Sequence, residues 1–370
     1  MAPVAGRGVV VVKIGTSSLT DERGIIALAA VAKLCAELAQ VRAGGRPVVL
    51  VTSGAIAAGL PVLGLADPRP TDSRVLQAAS AVGQSRLLAT YDEAFAAHGL
   101  VAGQVLLSPN DFFDRRQYLH ARQTLEVLLD LGVVPIVNEN DAVADDEIRF
   151  GDNDRLAALV AHLVHAEVLL LLTDAPGLLT GDPRVDAGAT LISEIVEVDQ
   201  GLEQLAGGAG SARGSGGMAS KLAAAKIAAW SGVRAVIAAA DRPAVIVDAL
   251  DEVPGVGTVV VPRSHRLGAR KLWIAFALPA EGRIQVDAGA EAALTGRGVS
   301  LLPAGVLEAE GKWEADAAVE VCGPDGRVFA KGLCRYGSDL VRELAGRHTT
   351  TLPPEVSREV IHRDDLVLVP

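Results

Sequence analysis

The sequence predicts an α/β protein: a three-layer αβα sandwich around a mostly parallel sheet, followed by a small β-rich barrel. Three observations predict it. Short runs such as Val9–Ile14, Pro47–Thr52 and Val168–Thr173 are apolar throughout, as strands buried on both faces are. Longer helical patterns separate such runs as far as Ala238, and strands alternating with helices build parallel sheets. Beyond Pro279 the apolar runs become short and glycine-punctuated, a β-rich pattern with little helix.

In chain order, Val9–Ile14 is a strand that stops at Gly15. Ile26–Ala43 has few breakers and reads as a helix. Pro47–Thr52 is the second strand, Thr71–His98 a long helix and Leu100–Leu107 a strand. Arg115–Leu131 is helical, Val133–Val137 a strand, Arg155–His165 a helix and Val168–Thr173 a strand. The stretch Gly207–Gly217 is biased to Gly, Ala and Ser and reads as a loop, because a helix (Met218–Ser231) and a strand (Val233–Ala238) follow it. A basic cluster, Arg263, His265, Arg266, Arg270 and Lys271, then marks a change of pattern. The expected division is one domain over 1–263, a linker over 264–280 and a second domain over 281–370. Strands are expected in the last at Arg283–Asp287, Ala317–Cys322, Val328–Leu333 and Asp365–Leu368.

Composition bounds the function. A chain of 370 residues suits two domains of about 100–200 residues each. Its apolar runs fall far short of the roughly 18–20 residues that span a bilayer, and Met1–Gly8 lacks the apolar centre of a secretory signal. The expectation is a soluble cytoplasmic protein with no membrane partner. Cys35, Cys322 and Cys334 are scattered and read as reduced core thiols. A net charge of −11 and an aromatic content of 3% argue against a nucleic-acid binder.

In a sheet of this kind ligands sit beyond the carboxyl ends of the strands, and six polar segments occupy those places. Lys13-Ile14-Gly15-Thr16-Ser17-Ser18 offers a point charge and a glycine that lets backbone amides approach a phosphate; a strand-end lysine is also a common solvated charge. It lacks the Walker A spacing. Thr52-Ser53-Gly54-Ala55 opens a helix, where Ser53 is either part of an anion-holding terminus or an ordinary N-cap. Asn138-Glu139-Asn140-Asp141 carries more donors and carboxylates than a turn needs. Gly151-Asp152-Asn153-Asp154-Arg155 precedes a helix that Asp152 would cap. Thr173-Asp174-Ala175-Pro176-Gly177 reads as a ribose or base contact, or as a Pro-Gly turn. Gly214-Ser215-Gly216-Gly217-Met218-Ala219-Ser220-Lys221 is a glycine-rich loop leading into a helix whose first turn carries a lysine; of the six it is the strongest phosphate-cradle signal, against a surface loop. The seven histidines lie outside these segments and read as structural.

Taken in order, the six segments resemble the amino-acid kinase superfamily, and within it the glutamate 5-kinase branch. The resemblance runs over the whole chain. The Asn-Glu-Asn-Asp and Gly-Asp-Asn-Asp pair separates that branch from aspartate, acetylglutamate, carbamate and uridylate kinases, and the tail from about Glu281 resembles a PUA domain. The resemblance implies transfer of the γ-phosphate of ATP, as Mg-ATP, to the γ-carboxylate of L-glutamate, the first step toward proline, with proline as inhibitor and a homo-oligomeric enzyme. It gives Lys13 and Lys221 the ATP phosphates and Asp154 the positioning of both lysines. It gives Ser53, Asp141 and Asn153 the glutamate, with Gly54, Asn138 and Asp152 lining the same region. It gives Gly15, Thr173, Asp174 and the loop Ser215, Gly216, Gly217, Met218, Ala219, Ser220 and Lys221 the nucleotide. No protein metal ligand is expected. One departure is visible: Ser215 stands where the family loop usually has Thr, and a hydroxyl survives. A kinase with another acceptor is one alternative; an RNA-binding tail is another, which the ten Lys/Arg against fifteen Asp/Glu of residues 281–370 oppose.

Overall fold

The computed structural model describes residues 8–21, 23–108, 110–143, 153–186, 188–207, 217–264, 266–348, 350 and 358–369. It divides into two compact units, Met1–Arg266 and Leu267–Pro370. The division follows Arg266, so most of the segment expected as a linker, 264–280, belongs with the second unit.

The first unit runs β1 (Val10–Ile14), α1 (Thr16–Leu19), α2 (Leu28–Ala43), β2 (Val48–Val51), α3 (Ala55–Gly59), α4 (Ser73–Ala96), β3 (Ala102–Leu107), α5 (Asn110–Phe113), α6 (Arg115–Asp130), β4 (Val134–Glu139), α7 (Asn153–Leu163), β5 (Val168–Thr173), β6 (Glu194–Ile195), α8 (Gln200–Ala206), α9 (Met218–Trp230), β7 (Arg234–Ala239), α10 (Val245–Leu250) and β8 (Thr258–Val260). The strands form one sheet in the order β3-β4-β2-β1-β5-β7-β8-β6, parallel throughout except where β7 meets β8. The expected parallel α/β sandwich is therefore present. The short strands β6 and β8 were not expected from the sequence.

Strand alternation builds the layers. Val10, Val12 and Ile14 of β1 and Val168, Leu170 and Leu172 of β5 join a core with Val31, Leu34 and Leu38 of α2, Tyr91 and Phe95 of α4, and Ile246 of α10. The intervening residues, Val11, Leu169 and Leu171, are equally buried and face the other way. On that side α7 and α9 pack together, with Leu156, Leu159 and Leu222 buried. Both faces are covered, which is why the strands read as unbroken apolar runs.

Helices α3 and α4 approach unusually closely. A Cβ on Gly59 would fall 1.9 Å from the Ala79 carbonyl oxygen, and one on Gly83 would fall 1.8 Å from that of Ala55. Only glycine fits either position. Gly83→Ala is expected to destabilise the chain by about 1–3 kcal/mol or more through overpacking, measured as a lower midpoint in a denaturant titration.

The second unit contains α11 (Ala269–Leu272), β9 (Gly282–Val286), α12 (Ala288–Arg297), β10 (Val306–Gly311), β11 (Ala318–Cys322), β12 (Val328–Leu333), α13 (Ser338–Leu344) and β13 (Leu366–Leu368). Its sheet has the order β10-β9-β11-β12-β13, antiparallel except for β9 and β11. The expected small β-rich second domain is therefore present. Its core holds Ile284, Trp313, Val319, Val321, Phe329 and Ile361. Helices α12 and α13 give this unit more helix than its sequence pattern suggested. All three cysteines are buried and unpaired, and burial pushes the Cys35 thiol up to about 12.

Candidate active site

Strand register brings the polar segments to one edge. Lys13 pairs with Val51 on one side and Leu171 on the other, and Val51 pairs with Val137. Because these strands are parallel, Ser53, Asn138 and Thr173 all emerge just beyond the same row.

The centre of the site is Asp154, in the first turn of α7 and 0% exposed. Its Oδ1 lies 2.5 Å from Lys13 Nζ, and its Oδ2 lies 3.1 Å from Lys221 Nζ. Ser220 Oγ donates to the same Oδ2 at 2.9 Å. Both lysines are buried. Burial alone would push the Asp154 carboxyl up, but the ammonium groups of Lys13 and Lys221, with hydrogen bonds from Lys13 and Ser220, outweigh it and hold the carboxyl below the usual carboxylate range. Two ammoniums around one carboxylate leave this cluster with a net positive charge.

Lys221 and Ser220 come from the first turn of α9, where Gly217 is the N-cap and its carbonyl oxygen lies 3.1 Å from Ser220 Oγ, an alternative acceptor for the same hydroxyl hydrogen. Met218 and Ala219 complete that turn. The helix terminus points amide hydrogens and a partial positive charge in the direction the lysine serves. Gly15 caps α1 at the end of β1, beside Lys13; a Cβ there would meet Lys13 Nζ at 3.6 Å, an ordinary contact. Asp152, Ser215 and Gly216 lie outside the described residues.

A second cluster adjoins the first through the neighbouring residue Asn153. Its Nδ2 donates to the Thr52 carbonyl at 2.7 Å, Ser53 Oγ at 2.9 Å and Asn138 Oδ1 at 2.9 Å. Its Oδ1 is buried and has no hydrogen-bond partner among the described residues. Gly54 holds φ +103°, a conformation that favours glycine, and turns the chain from β2 into α3. Asp141 stands in a 3-10 turn after β4 and accepts from Ser80 Oγ at 2.6 Å. Ser53, Asn138 and Asn153 are thus brought together, with Asp141 held by α4.

Thr173 and Asp174 end β5, where Thr173 Oγ1 donates to Asp174 Oδ1 at 3.0 Å. They line a cleft of about 470 Å³ with Ile14, Leu172, Lys33 and Val245. One wall of it is tied by Lys33, whose Nζ donates to the Ala240 and Arg242 carbonyls, and by Glu37, which accepts from Ile246 N at the start of α10.

The amino acid kinase family profile matches residues 8–239, more than half of the chain, and the PUA domain profile matches residues 282–353. The chain is 44% identical over 364 residues to the glutamate 5-kinase of Pelobacter propionicus, spanning 97% of each. It is 46% identical over 363 residues to that of Burkholderia cenocepacia, again spanning 97% of each.

The chain belongs to the glutamate 5-kinase family.

It is therefore a kinase with a PUA domain. Among solved structures, carbamate kinase from Giardia lamblia bound to AMP-PNP superposes with a TM-score of 0.50 at 17% identity, covering 70% of this chain and 99% of that one, a likeness of fold.

The sequence motifs did not point to Ser80, Gln84 or Gln104, which the structure places against these two groups of residues. Gln84 Oε1 accepts from Asn138 Nδ2 at 3.2 Å and from Gln104 Nε2 at 3.1 Å. The available signal was the buried face of a long amphipathic helix carrying two amide or hydroxyl residues, one turn apart, on either side of Gly83.

Proposed function

We propose that this chain transfers the γ-phosphoryl group of ATP to the side-chain carboxylate of L-glutamate, forming γ-glutamyl phosphate on the route to proline. The observation that carries the reading is the pair of buried lysines on Asp154, a preorganised positive centre at the strand ends. The attacking group is a carboxylate with an ordinary pKa of about 4.3, ionised at neutral pH. No general base is needed, which suits a site built from Lys, Ser, Asn and Asp. The chemical difficulty is repulsion between an anionic acceptor and an anionic donor. Lys13 and Lys221 neutralise charge on the phosphoryl group while the α9 terminus adds amide donors.

Asp154 does no proton transfer in this scheme. It holds the two ammoniums at a fixed separation, so no reorganisation is required as charge shifts toward the leaving oxygen. Thr173 and Asp174 offer polar contacts to the nucleotide. Mg²⁺ usually binds through phosphates, waters and one or two carboxylates, so an ion carried by the ATP phosphates would supply further charge neutralisation when bound.

Glutamate binding falls to the second cluster. Ser53 Oγ accepts from Asn153, so its own hydrogen remains for a carboxylate oxygen. Ser53→Ala should raise the KM for glutamate about tenfold or more while leaving kcat within about threefold, as expected for loss of a hydrogen bond to a charged group. An unchanged KM would remove Ser53 from the site. Free proline is read as an occupant of the same region, so its inhibition should be relieved by rising glutamate.

The deciding experiment is ADP release by the purified chain with Mg-ATP and, in parallel, glutamate, aspartate, N-acetylglutamate or buffer, each with and without proline. Glutamate-dependent release suppressed by proline supports the reading. Release with another acceptor would keep the lysine roles and overturn the assignment of Ser53, Asp141 and Asn153.

A further inference from the structure

Two side chains of α4 reach the second cluster from behind. Ser80 is 1% exposed and Gln84 is 9% exposed. They lie one helical turn apart on either side of Gly83, where α4 presses against α3. Ser80 Oγ donates to Asp141 Oδ2 at 2.6 Å. Gln84 Nε2 donates to the Glu139 carbonyl at 3.3 Å, and its Oε1 accepts from Asn138 and Gln104.

The polarity of these amides propagates. Gln84 Oε1 draws Asn138 Nδ2 toward α4, so Asn138 Oδ1 is left for Glu139 N at 3.0 Å and Asn153 Nδ2 at 2.9 Å. Asn153 Nδ2 is then fully engaged, with its hydrogens shared among Asn138, Ser53 and Thr52. An amide has a donor end and an acceptor end, so Asn153 Oδ1 must turn the other way. It is the buried oxygen that lacks a partner among the described residues. The Thr52 carbonyl and the Glu139 amide fix which way each asparagine faces; Gln84 adds the anchor on α4 that holds Asn138 in place, and through it the 2.9 Å contact that seats Asn153. Ser80 performs the corresponding service for Asp141, holding one carboxylate oxygen so that the group keeps a single orientation.

We propose that Ser80 and Gln84 are positioning residues of the acceptor site: they orient the Asp141 carboxylate and, through Asn138, the Asn153 amide oxygen as hydrogen-bond acceptors for the α-ammonium group of the amino-acid substrate. This rests on the reading of Asp141 and Asn153 as glutamate-binding residues. It makes the ammonium, as distinct from the carboxylates, the feature these two residues help to select.

The test compares glutamate with glutarate, which has both carboxylates and no ammonium. The variants are Gln84→Met, close in volume, and Ser80→Ala. Glutamate and ATP are assayed for KM by ADP release, and glutarate is assayed as a competitor of glutamate. Each variant is expected to raise the glutamate KM about tenfold, with the glutarate inhibition constant and the ATP KM within about threefold of the unmodified enzyme. A purely structural role would instead weaken all three together, which overturns the proposal, as does an unchanged glutamate KM in both variants. Ser80→Ala removes one hydroxyl and carries the test alone if Gln84→Met does not fold. Failure of the unmodified chain to release ADP in response to glutamate removes the underlying reading and this inference with it; a glutamate-dependent parent with unaltered variants removes the inference only.

Discussion

Lys221→Ala is expected to lower kcat by about 100–1,000-fold, the usual cost of deleting one preorganised charge donor from a phosphoryl-transfer site, while the KM for glutamate changes little. The geometry supports that split. Lys221 is bound to Asp154 at 3.1 Å on the side of α9, whereas Ser53, Asn138 and Asn153 form their own hydrogen-bonded group. The variant should also fold. With Lys221 gone, Asp154 keeps Lys13 at 2.5 Å and the donor Ser220, so no charge in the cluster is left without a counter-charge. Steady-state kinetics in both substrates, with a thermal melt as control, makes the measurement. A kcat within about threefold of the parent, too little for a lost charge donor, would end the assignment of Lys221 to the phosphoryl group.

Asp154→Asn should do more damage, and of two kinds. It removes the carboxylate that separates two buried ammoniums, and breaking a buried ion pair from one side costs about 3–5 kcal/mol because the remaining charge is uncompensated. Here two such charges remain, and they repel. Turnover should fall at least as far as in Lys221→Ala, since both lysines lose their anchor. The pH dependence is a separate signature. The folded-state value of Asp154 is depressed, so the stability it contributes is complete above the ordinary carboxylate range and is lost only as pH falls through that depressed value. The stability gap between parent and Asp154→Asn should therefore be constant through neutral and mildly acidic pH and close only in strong acid. A gap that widens toward low pH would contradict the ion-pair account.

Much of the first unit was legible because its strands are buried on both faces. Val168–Thr173 was read with the bounds the structure has, and β1, β2 and β4 to within a residue or two. Strands β6 and β8 were not, being too short to show a period. In the second unit β10 escaped because its register shifts between Val306 and Glu308, which breaks the alternation a half-buried strand would show. Helix α12 escaped because only Leu294 is buried along it, too little for a stripe, although its Asp287 cap, which accepts from Ala290 N, was available to read.

The six motif segments were legible as chemistry because each sits at a strand end or helix start, where local sequence alone demands Gly, Ser, Asn or Asp. By itself the sequence determined that two lysines, a set of amides and several carboxylates would meet at one edge of a parallel sheet, since strand direction and loop position follow from hydrophobic pattern. Only the tertiary structure decided which charge pairs with which. That Asp154 divides its two oxygens between Lys13 and Lys221 depends on α7 and α9 packing together across the same face. That Asn153 turns its oxygen away from Asn138 depends on the Thr52 carbonyl and on Asn138, which Gln84 anchors where α3 and α4 meet closely. Those outcomes rest on distances between elements remote in the chain, and a hydrogen bond is decided within a few tenths of an ångström, a scale that hydrophobic periodicity does not carry.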